Sequence, residues 1–177
     1  MKKRQGSPIT VLLLLLFLAG AILGTVVSAG NTLPPWEGCS AEDRGFMLIW
    51  RAAQYFLLCG IFACTGLGIV LIPGLFVVRG FVLSVTAAML LRSGGTHPEL
   101  STWVICGIPA FVQLPGLLAA GQAGLFHSFE LCRRNLGRKR PNYKVNYRQA
   151  LLFACISCLL TALSRGYLVP ALLAIMS

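Results

Sequence analysis

Few residues in this chain could do chemistry, and their spacing argues against most of it. His127 and Glu130 stand at i, i+3, which brings an imidazole and a carboxylate to one face of a helix. A zinc site needs at least three protein ligands, and the other histidine, His97, is expected on the opposite side of the membrane. The pair reads better as a helix end at an interface. Cys155 and Cys158 form a CxxC, but inside an apolar run this spacing has neither a zinc-finger nor a thioredoxin-like context, and small polarizable packing residues are the better reading. No Walker A loop, GxSxG or HExxH is present. The expectation is a protein with no catalytic residue, no metal and no cofactor.

One residue stands apart. Arg79 is the only charged side chain between Tyr55 and Leu91. An arginine at the centre of a membrane helix costs roughly 3 kcal/mol on insertion scales. It can snorkel to the headgroups, or turn inward to a carbonyl or to an amide such as Gln113 or Gln122. The inward reading is favoured, because Gly80 beside it lets another helix approach and the proline-rich stretch after Ile105 offers free acceptors.

These residues belong to a chain of 177, 56% apolar and 11% charged, with a mean hydropathy of +0.78. Several apolar runs reach the roughly 18 residues that cross a bilayer as a helix. A transmembrane barrel would alternate in segments of about ten residues, and "VLLLLLFLAGAILG" does not. The fold class is all-α: a polytopic helical bundle forming a single membrane domain over 1–177. The net charge of +10 does not indicate nucleic acid. Three positives lie at Lys2–Arg4 and seven between Arg133 and Arg148, beside apolar runs, where the positive-inside rule places them and where anionic headgroups would meet them.

Five spans are expected, at about 9–27, 53–72, 75–91, 103–126 and 150–163, with a basic cytoplasmic loop at 127–148. "MKKR" and "TVVSA" flank the first as they would a signal peptide cleaved after Ala29, but its apolar part of about 19 residues exceeds the usual 7–15 and favours a retained helix. Pro73-Gly74 is the expected turn between spans 2 and 3. Span 4 carries Pro109 and Pro115 and is expected to kink. Span 5 is expected to end near Arg165. Of the seven cysteines, only Cys39 and Cys132 are placed in loops, on opposite sides. Gly20/Gly24, Gly60/Cys64/Gly68 and Gly116/Ala120/Gly124 form small-residue ridges of the kind that join helices, within one chain or in a homodimer.

The stretches "GIVLIPGLFVVRGFVLSVTAAMLL", "IPAFVQLPGLLAAGQAGLFHSFEL" and "RGYLVPALL" resemble the stage II sporulation protein M family. The first shares the family's apolar run, proline turn and Arg79-Gly80 pair. The second shares its two-proline helix ending near a serine and a basic loop. The resemblance covers about residues 53–175. Many members carry polar residues after the first proline of the second motif, where Ala110 and Phe111 stand here; Gln113 is the available substitute. The resemblance implies a non-enzymatic scaffold in the bacterial cell membrane that localises two peptidoglycan hydrolases, stage II sporulation proteins D and P, at the septum during engulfment. The competing reading is a small transporter or permease-like subunit, with Arg79 and the kinked span lining a path. Nearly acid-free spans disfavour proton coupling.

Topology can be measured directly. In a cysteine-free background, a cysteine placed at Asn142 should resist an impermeant maleimide in intact cells and react after permeabilisation; labelling of intact cells would reverse the orientation.

Overall fold

In the computed structural model, residues 6–30, 45–92, 98–135, 147–169, 171 and 172 are described. Apart from a turn at 64–67, every one of them is helical. The helices are α1 (Gly6–Gly30), α2 (Gly45–Ala63), α3 (Gly68–Arg92), the short α4 (Pro98–Thr102), α5 (Ile108–Asn135) and α6 (Tyr147–Leu163). A π-helical turn, Trp103–Gly107, leads into α5, and another, Ser164–Leu168, follows α6. Four stretches are long and apolar enough to cross a bilayer: Pro8–Gly30, Gly68–Arg92, Trp103–Arg134 and Arg148–Leu168; Ala53–Ala63 is a shorter apolar helix. The protein is a multi-pass α-helical membrane bundle.

Helix directions follow from residue pairs. Gly20 meets Val77, Gly24 meets Phe81 and Ser84, and Arg92 Nη2 donates to the Ser28 carbonyl at 2.6 Å. The numbers rise together, so α1 and α3 are parallel. Gly124 and Gly121 lie against Ile72 and Phe76, which makes α5 antiparallel to α3. Ala63 packs on Gly124 and Ser128 on 62–65, so α2 runs with α5. Ser157 and Phe153 of α6 oppose Gly116, and Ser157 reaches on to Val112, so α6 runs against α5. The long helices therefore alternate in direction along the chain. The central helix, α5, touches α1 and α3 on one side and α2 and α6 on the other.

Packing is closest between α1 and α3. A methyl group at Gly20 would overlap the Val77 carbonyl, one at Gly24 the Ser84 hydroxyl, and one at Gly80 the Phe17 carbonyl. Lipid tails are as apolar as leucine, so such backbone approach, rather than hydrophobicity, joins membrane helices. The interior is centred on Leu13, Ile72, Phe76 and Leu117, each at most 1% exposed. The outer faces of α1 and α6 carry Leu15, Ile22, Leu151 and Leu159, all more than half exposed, as lipid-facing positions should be. The candidate cleavage region after Ser28 sits against α3 through Arg92.

The turn between α2 and α3 lies at Cys64–Leu67 rather than at Pro73-Gly74, and α3 runs through Pro73. Proline deprives a helix of a single amide bond, to the carbonyl four residues back, which here is that of Ile69 in the first turn of α3. The actual turn has a capping partner distant in sequence. Fully buried Ser128 of α5 places its hydroxyl 3.0, 3.2 and 3.4 Å from the carbonyls of Thr65, Ala63 and Phe62, which would otherwise be orphaned at the end of α2. Three further boundaries differ from expectation. The helix α5 continues to Asn135, so His127, Glu130 and Cys132 are helical, and Glu130 pairs with Arg134 at 2.9 Å. Helical structure passes Arg165 as a π turn instead of breaking there. The first residues of α2 precede the expected start at 53. Cys39 lies outside the described residues.

Gly20→Ala and Gly24→Ala should each destabilise the bundle by about 1–3 kcal/mol, the usual cost of overpacking. Gly74→Ala, where a new methyl meets nothing within 4 Å, should be neutral or stabilising by up to about 1 kcal/mol. Thermal unfolding in detergent distinguishes the two classes.

Candidate functional site

Three helices converge on Arg79. From α3 it projects into the bundle and is 9% exposed. Its Nη2 donates to Gln113 Oε1 of α5 at 2.6 Å, and its Cζ lies 4.5 Å from the centroid of the Tyr55 ring of α2. Gln113, 2% exposed, stands between the two prolines of the central stretch. The neighbouring Gly80 faces α1, so Arg79-Gly80 serves two interfaces at once: a cation toward α5 and α2, bare backbone toward α1.

Energetically this arrangement is self-sufficient. A hydrogen bond to a charged group contributes about 1.5–3 kcal/mol, and a desolvated cation–π contact about 2 kcal/mol. Together they offset the roughly 3 kcal/mol insertion cost of a central arginine. No carboxylate takes part: among the described residues the acids are Glu99 in α4 and Glu130, which is paired with Arg134. The inward arginine thus meets an amide and an aromatic face, and the proline-freed backbone is served by another residue. Pro115 removes an amide in α5, and Ser157 Oγ of α6 donates to the nearby Val112 carbonyl at 2.6 Å, a repair typical of proline in membrane helices. Gln122, the other candidate partner for Arg79, donates to Thr10 Oγ1 of α1.

The Gly116/Ala120/Gly124 ridge serves different neighbours. Gly116 lies against Ser157 of α6, and Gly124 against Ile72 and Ala63. Ala120 lines an apolar groove, as do Gly60, Cys64, Cys155 and Cys158. Gly60 meets no helix, and Gly68 packs instead on Phe62 and Ser128. Both π turns precede a proline in the sequence, Pro109 and Pro170. Cys106 of the first π turn lies within electrostatic reach of Arg165 in the second and of Arg79. Among the described residues no group of three or more His, Cys, Asp or Glu could hold a metal ion.

No family model, curated protein or solved structure matches this chain.

Arg79 and Gln113 should be strongly coupled. Arg79→Met and Gln113→Leu should each destabilise the bundle, and the double variant should lose less than their sum, with a coupling of about 1–3 kcal/mol. A double-mutant cycle in detergent measures this; strict additivity would mean the bond contributes nothing net.

Proposed function

We propose that this chain is a non-enzymatic membrane scaffold of the stage II sporulation protein M kind, holding peptidoglycan hydrolases (stage II sporulation proteins D and P) at the septum during engulfment. One observation carries the reading. The two longest stretches of resemblance coincide with α3 and α5, and the Arg79–Gln113 bond joins them. The residues at the heart of the likeness are therefore those that lock the two helices together. The interior polar groups also support it, since Ser128, Ser157, Gln122 and Arg79 each fasten one helix to another. Fastening groups of this kind suit a rigid platform.

The test is tagged purification from sporulating cells after mild solubilisation. A scaffold co-purifies with cell-wall hydrolases. Solute movement in proteoliposomes without hydrolase recovery would favour the transporter reading instead. Arg79→Lys refines the test, because an ammonium cannot reproduce the planar guanidinium that both donates to Gln113 and stacks on Tyr55. Hydrolase recovery with lysine should fall nearly as far as with Arg79→Ala at matched membrane insertion; wild-type recovery would reduce Arg79 to a mere positive charge.

A further inference from the structure

Between α2 and α6, with α5 as its floor, lies a groove of about 730 Å³, within the range of about 300–1,000 Å³ typical of small-molecule sites. Its walls are alanine, glycine, cysteine and larger apolar side chains, and His127 is the single polar exception. We propose that this groove binds one acyl chain of an anionic phospholipid, with the phosphate held at its basic end.

Three features select this occupant. The first is length. Along α2 the lining runs from Ala53 to Cys64, about 16 Å at 1.5 Å per residue. Along α6 it runs from Ala150 to Cys158, about 12 Å. One leaflet of hydrocarbon is about 15 Å deep, half of the core. A partner's spanning helix would need a track through the whole thickness. The second is charge complementarity at one end only. His127 closes the groove on α5, and Arg134 continues the same stripe two turns on. On α6 exposed Arg148 stands on the stripe of Leu151 and Cys155, one turn before the lining begins. Cationic pockets between helices at the membrane surface are recognised sites for anionic headgroups. The third is direction. With α6 opposed to α2 and α5, the ends at Ala150, Cys64 and His127 lie at one level, so the cations and the groove mouth coincide. The inference stands apart from the scaffold reading and depends only on the bundle.

Full-length protein in mild detergent, irradiated with phosphatidylglycerol carrying a diazirine in its acyl chain, provides the test. Peptides covering 53–64 and 150–158 should take most of the label, about fivefold above that from phosphatidylcholine of the same chains, the ratio expected for one favourable cation. Ala154→Phe, which fills the groove, should bring that labelling to background. Arg148→Gln should leave the labelled positions unchanged and remove the headgroup preference. Label spread evenly over the outer face of α1, or equal labelling by the two lipids, overturns the proposal. So does a wild-type dimer that Ala154→Phe converts to monomer without loss of label, which would assign the groove to a second copy. The wild-type label map stands whether or not either variant folds.

Discussion

Hydrocarbon offers a backbone carbonyl no water to turn to, and much of this bundle can be understood as an answer to that constraint. The carbonyls at the end of α2 are met by Ser128, the one near the α5 proline by Ser157, and the one at Ser28 by Arg92. Each answering group comes from another helix, so satisfying the backbone and assembling the tertiary structure are the same event. Proline, which in water would weaken a helix, here creates an acceptor that a neighbour can use. The chain spends its few interior polar side chains on such positions.

Arg79 follows the same logic with the roles inverted, a donor in need of acceptors. Its surroundings contain no acid, only an amide oxygen and an aromatic face. A carboxylate would have given a stronger pull but would itself need burial, at several kcal/mol per ion even after relaxation. An amide partner avoids that second cost while fixing the orientation of a planar guanidinium. The result is a joint between α3, α5 and α2 whose geometry, more than its charge, sets how the helices meet.

The fold class was legible because long apolar runs in a chain with 11% charge leave few alternatives to a helical bundle. The Gly20/Gly24 ridge was legible for a related reason: small residues at i, i+4 on an otherwise bulky helix mark where backbone must come close. Arg79 could be narrowed to an inward orientation, but the choice between carbonyl and amide depended on where α5 presented Gln113. The α2–α3 turn was misplaced because a Pro-Gly pair is a strong local signal, while the real cap, Ser128, lies more than sixty residues away. The helical extension of α5 to Asn135 was hidden by polar residues that look like loop but form an i, i+4 ion pair. The signal that could have revealed the π turns was the proline shortly after each.

The parallel pairing of α1 with α3 bears on how the protein is made. Parallel neighbours cannot be joined by a tight hairpin, so a chain synthesised from the N-terminus must place α1 in the membrane, thread α2 back, and only then deliver the surface that α1's glycines fit. Until α3 arrives, α1 has lipid on every side, and no partner competes with lipid for its small-residue stripe. The order of events during biogenesis is thereby imposed by geometry. Commitment to the finished bundle comes with the third long helix to insert, and earlier helices remain free to be sorted, rotated or withdrawn by the insertion machinery.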